Sequence, residues 1–106
     1  MIGRLRQFLT IEAPQETADG AGGVTVAWTP IGAAWAGFAP LNAGEALARD
    51  REVAVRRWRI TLRYRDDVTP ACRFLYEGRR FAIDSVVDRD GRKRFLACDC
   101  TEEEAS

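Results

Sequence analysis

Apolar and polar residues alternate along most of this chain. From Arg4 to Ile11, Leu5, Gln7, Leu9 and Ile11 fall on one side and Arg6, Phe8 and Thr10 on the other. This is the period-two signature of a strand with one buried face. Pro14 is expected to end that strand. The following stretch, with Asp19, Gly20, Gly22 and Gly23, favours turns and predicts a flexible loop over 13–23. Alternation resumes with Val24, Val26 and Trp28. Pro30 and Gly32 interrupt it before an apolar run from Ala33 to Ala39 that contains Trp35 and Phe38, so two short strands or one bent strand fit equally.

The pattern changes after Pro40. Glu45, Ala46, Leu47, Ala48 and Arg49 are good helix formers, and Asn42 can cap them. A short helix or ordered loop is therefore expected as an insertion over 41–52. The longest strand signal follows, over 53–65. Ala54, Arg56, Trp58, Ile60, Leu62 and Tyr64 share one face, and Val53, Val55, Arg57, Arg59, Thr61, Arg63 and Arg65 share the other. Asp66, Asp67 and Pro70 break it. Cys72 to Tyr76 and Arg80 to Val87 then flank Glu77, Gly78 and Arg79 as a hairpin, and Asp90 with Gly91 marks a second turn before the strand from Lys93 to Thr101. The acidic tail over 102–106 is expected to be solvated and frayed. Many short strands and no alternation of strands with helices predict an all-β domain, a small antiparallel barrel or sandwich with one short helix or ordered loop inserted. A chain of 106 residues fits a single domain, 1–106, with no second module.

Charge narrows the function. Sixteen basic residues balance sixteen acidic ones, so the protein as a whole has no long-range attraction for DNA or an anionic membrane. No stretch is apolar enough to cross a bilayer as a helix, and no membrane partner is expected. There is no histidine, which removes the commonest general base and excludes Ser-His-Asp or Cys-His catalysis. Asp66 with Asp67, or Asp84, Asp88 and Asp90, retain the chemistry for a cation or an acid-base pair. Each sits beside a turn, where Asp is favoured for its hydrogen bonds to backbone. Cys72, Cys98 and Cys100 lack the paired spacing of a zinc site and are expected to be buried free thiols. No catalytic residue, metal or cofactor is expected, and the chain is not read as an enzyme.

The arginine face of the long strand is the main local feature. Arg57, Arg59, Arg63 and Arg65 are expected to project in a row, with neighbours about 7 Å apart, which is self-repelling unless something acidic answers it. Carboxylates of the same sheet, an adjacent subunit or DNA phosphate all qualify. Trp28, Trp35 and Trp58 are expected in the core, in phase with other apolar strand residues.

Taken in order, GRLRQFLTIEAP, DGAGGVTVAWTPIGAAWAGFAPLNAGEALA, VRRWRITLRYRDDVTP and FLYEGRRFAIDSVVDRDGRKRFLACDC resemble the head-tail joining family, the head closure or stopper proteins of tailed bacteriophages and of phage-derived gene transfer particles. The resemblance implies a small β-barrel that assembles as a ring of identical subunits in the neck of the particle. It would lie between a portal or adaptor protein on the head side and a tail or tail-terminator protein on the other, with DNA passing through the channel without sequence specificity. It implies assembly in the host cytoplasm. In that family an excursion between early strands can reach the channel and close it. Here that excursion maps to 41–52, making Leu41, Asn42, Gly44, Glu45, Arg49 and Asp50 candidates for the channel or a subunit contact. Arg57, Arg59, Arg63 and Arg65 become candidates for a subunit interface or a DNA-facing surface. The competing reading is a small nucleic-acid-binding barrel that uses the same four arginines.

Overall fold

The computed structural model describes residues 5–41 and 56–103. Within them are six antiparallel strands: β1 (Gln7–Ala18), β2 (Val24–Pro40), β3 (Arg56–Arg63), β4 (Arg73–Tyr76), β5 (Arg79–Val87) and β6 (Phe95–Glu103). They close into a barrel in the order β1-β2-β3-β6-β5-β4. The last seam is short: β1 meets β4 only at Thr10–Leu75, Ile11–Phe74 and Glu12–Arg73. The predicted all-β barrel is therefore correct. No helix occurs among the described residues, and the helix or loop expected over 41–52 lies, beyond Leu41, outside them.

Alternation explains the core. Leu9 and Ile11 of β1, Ala36 of β2, Ile60 and Leu62 of β3, Phe74 of β4, Phe81 and Ile83 of β5, and Leu96, Cys98 and Cys100 of β6 point inward and are buried. Each strand contributes every second residue, as the pleat requires. Cys72, Cys98 and Cys100 are buried free thiols, as expected. Burial pushes the Cys98 thiol up to about 12, and that of Cys100 upward as well.

Two expectations need correction, and one open alternative is decided. First, β1 does not stop at Pro14. It runs to Ala18, pairing Pro14 with Trp28 and Ala18 with Val24, so the loop expected over 13–23 contracts to the turn after Ala18. A proline is tolerated there because β1 has lost its β4 neighbour beyond Glu12 and forms only one side of a ribbon. Second, of the two short strands or one bent strand that fitted the sequence equally, the structure has the single strand, β2, of 17 residues. Its register shifts between Ile11 and Glu12, which face Gly32 and Pro30 and leave Ile31 as the extra residue of a bulge. Third, Glu102 and Glu103 are not frayed. They complete β6, pairing with Arg56 and with Phe81 and Arg80.

The two hairpin turns differ. Glu77 and Gly78 both take positive φ, 51° and 76°, the pair of angles that a two-residue turn needs to match strand twist. The connection between β5 and β6 is longer, running from Asp88 to Arg94. There Asp88 and Asp90 accept the backbone N–H groups of Lys93 and Arg92.

Candidate functional site: two excursions at opposite ends of the barrel

Following the strands up and down places everything outside the barrel at one of two ends. β1 rises and β2 descends, so the turn between them is at the upper end. β2 finishes at Pro40 and β3 begins at Arg56, so the segment 42–55 departs from and returns to the lower end. Its base is fixed, because the Leu41 N–H donates to the Arg57 carbonyl at 2.9 Å. Of the predicted channel-loop residues, Leu41 lies at this base, whereas Asn42, Gly44, Glu45, Arg49 and Asp50 fall outside the described residues.

The upper excursion was not expected. Beyond the β1–β4 seam, 13–18 and 24–29 pair only with each other, giving a two-stranded ribbon about 20 Å long at 3.4 Å per residue. Its tip is locked locally. The Asp19 N–H donates to the Gly23 carbonyl at 3.0 Å, and the Asp19 carboxylate accepts the N–H groups of Ala21 at 2.8 Å and Gly23 at 3.0 Å. Those backbone donors hold the Asp19 carboxyl below its ordinary range. The ribbon's base is bolted to the barrel by Arg73, whose Nε donates to Glu12 Oε1 at 2.7 Å while its guanidinium lies 4.2 Å from the Trp28 ring centre. By register, Pro14, Glu16 and Ala18 share a face with Trp28, Val26 and Val24. Val24 and Val26 are exposed. The opposite face carries Gln15, Thr17, Thr25 and Thr29 together with Ala13 and Ala27.

The lower end is sealed by a second cluster. Glu102 accepts from Trp58 Nε1 at 3.0 Å and from Arg79 at 2.9 and 3.1 Å. Arg79 in turn lies over the rings of Trp58 and Phe81. These donors hold the Glu102 carboxyl below its usual range.

The arginine row on β3 is largely answered within the chain. Arg59 holds Asp99 through two bonds of 2.8 and 3.2 Å. Arg57 lies 3.6 Å from Asp84, which also accepts from Thr101. Arg65, just past the strand, holds Asp67 at 2.9 and 2.8 Å and crosses to the Ala33 carbonyl; Gly32 lies beneath it, where a Cβ would collide with the guanidinium. Arg63 is exposed and covers the Phe95 ring at 5.6 Å. The guanidiniums hold the Asp67 and Asp99 carboxyls low. Of the carboxylates that offered acid-base chemistry, Asp67, Asp84 and Asp90 thus sit beside arginines. Among the described residues no cluster of metal-ligating side chains forms.

Trp58 packs against the core as expected, whereas the other tryptophans depart from expectation. Trp35 is 55% exposed and packs on the equally exposed Phe8, with ring centres 4.9 Å apart. Trp28 and Trp58 are half-buried at opposite ends of the barrel. Trp35 takes the outward phase because it alternates with the inward Ala34 and Ala36, a phase that the small alanines conceal in the sequence.

The sequence comparison decides the family: its phage head completion protein model matches residues 1–103. The chain belongs to the phage head completion protein family. Two solved structures agree over essentially the whole chain. One is a component of the virion of a native gene transfer agent particle, with 27% identity and a TM-score of 0.71, covering 100% of this chain and 98% of the other. The second is a Shigella flexneri 2a protein whose structure was determined in solution, with 28% identity and a TM-score of 0.75, covering 99% of this chain and 98% of the other. No curated protein matches the chain significantly. The family is one of structural virion components, so the resemblance in the sequence is correct at that level, and the role is a structural one at the junction of head and tail.

Proposed function

We propose that this chain is one subunit of a neck ring that joins the portal or adaptor of a phage-type capsid to the tail, surrounds the DNA path, and closes it after packaging through the segment 41–52. In this reading it assembles in the host cytoplasm from identical copies and meets a tail protein on its second face. The observation that carries it is the difference between the two ends of the barrel. A barrel with a projecting ribbon at one end, and at the other the Trp58–Arg79–Glu102 cluster beside Leu41 and Arg56 where 42–55 joins the wall, presents two different surfaces along its axis. A connector between unlike neighbours requires that polarity. The pairing of Arg57, Arg59 and Arg65 with acidic side chains of the same chain supports a structural wall over a phosphate-gripping surface, which would keep its guanidiniums uncommitted.

The test is deletion of 42–52 in a particle-producing strain. The barrel wall is complete without that segment, so the variant is expected to fold and incorporate but to yield particles that lose DNA or fail to attach tails. Full, tailed particles from the deletion would refute the closing role. Absence of the wild-type chain from purified particles would refute the neck assignment altogether.

A further inference from the structure

Charge is strongly segregated in this neutral molecule. Between Gln7 and Leu41 there is no arginine or lysine, and the carboxylates are Glu12, Glu16 and Asp19. Glu12 is taken up by Arg73 and Asp19 by its own turn. Glu16 has no ion-pair partner among the described residues and lies beside Val26 in the register, on the exposed apolar face of the ribbon. Elsewhere the barrel carries the complement. On the outer wall of β3 and β6 there is a groove of about 570 Å³, with Thr61, Phe95 and Ala97 along it and Arg89, Asp90 and Arg94 from the β5–β6 connection at its rim. Arg94 is held by Asp90 at 2.7 Å. Arg89 is exposed and makes no direct ion pair among the described residues, although it helps hold the nearby Asp99 carboxyl low, and Arg63 covers Phe95.

We infer that the ribbon of one copy docks into this groove on the next copy, with Val24 and Val26 against Phe95 and Glu16 facing Arg89. The inference rests on the neck-ring reading and supplies its contact. Three observations select a second copy as the occupant. The two surfaces are complementary in charge and each sets apolar side chains beside charged ones, a mixture found at interfaces between subunits. They lie at the same end of the barrel, because the β5–β6 connection and the ribbon both leave the upper end. They do not meet within one molecule, because the ribbon rises from β1 and β2, the groove lies on β3 and β6, and Val24 and Val26 remain exposed. Joining these unlike patches between copies gives a directional, head-to-tail contact. Such contacts close into rings when the rotation between copies allows.

Cross-linking tests the contact directly. With Val26→Cys and Arg89→Cys in one full-length chain, a short bismaleimide is expected to produce a ladder of covalent oligomers in purified particles, whereas either single variant is expected to give none. The native thiols are buried and do not compete. Charge exchange gives the second arm. Glu16→Arg and Arg89→Glu each change an exposed side chain, so folding is expected to be unaltered, while incorporation into particles falls at least tenfold. Co-expressing the two variants restores incorporation, since every contact in an alternating ring is again complementary. If the chain is present in particles but the double-cysteine variant links only to a different protein or to nothing, or if co-expression fails to rescue, the docking is wrong and the neck reading stands. If the wild-type chain is missing from particles, the neck reading itself falls.

Discussion

Arg73 sits between Glu12 and Trp28, donating to the carboxylate at 2.7 Å and covering the indole at 4.2 Å. One side chain of the shortest strand thus ties a projecting ribbon to the barrel. A two-stranded ribbon is marginal on its own in water, so its rigidity depends on that clamp and on the turn built around Asp19.

Arg73→Ala is expected to leave Glu12 largely buried without its cation and to cost about 2 kcal/mol. Urea denaturation reads the global loss. Hydrogen exchange should show the largest loss of protection at the ribbon amides of 13–18 and 24–29, and uniform loss across the barrel would contradict the clamp.

The exposed and buried aromatics are expected to separate cleanly. Phe74→Ala or Phe81→Ala removes a fully buried ring and should cost about 3 to 5 kcal/mol. Trp35→Ala or Phe8→Ala removes a half-exposed one and should cost about 1 kcal/mol or less. Thermal melts of the four variants check the ordering.

Acid should unfold the protein through its paired carboxylates. Asp99 beside Arg59, and Glu102 beside Arg79 and Trp58, both have lowered folded-state values. Their stabilisation is therefore complete above the unfolded values of about 4 and is lost as pH falls through the lower folded values. Denaturant midpoints are expected to be flat from neutral pH to about 5 and to drop steeply below about 4. Glu102→Gln should flatten part of that drop.

Burial raises the Cys98 thiol to about 12 and shifts Cys100 in the same direction, so both are expected to be protonated and unreactive in the native protein. Ellman's reagent should find them only after denaturant is added. Rapid modification in native buffer would show that β6 opens locally.

The barrel was legible because Leu9 with Ile11, Ile60 with Leu62 and Phe81 with Ile83 keep strict period two. What was hidden depended on pairing. Pro14 reads locally as a strand end, and only the absence of a β4 neighbour beyond Glu12 lets it remain in β1. Ile31 reads as part of an interrupted run, and only the register against Ile11 and Glu12 reveals a bulge. Glu102 looked like the first residue of a solvated tail, although it continues the inward phase of Cys98 and Cys100, and following that parity to its end would have found it. The arginine row was visible, but its partners Asp84, Asp99 and Asp67 come from β5, β6 and a turn, and no local pattern joins them.

Although the wall closes on itself, the two outer borders of the ribbon are among the strand edges left open to a foreign strand. Pro14 occupies one border and Pro30 lies on the other strand at its base, each lacking the N–H that an intruding strand would need, and Glu16 adds a charge to the first. This arrangement discourages indiscriminate sheet growth and leaves side chains, not main chain, to choose the neighbour.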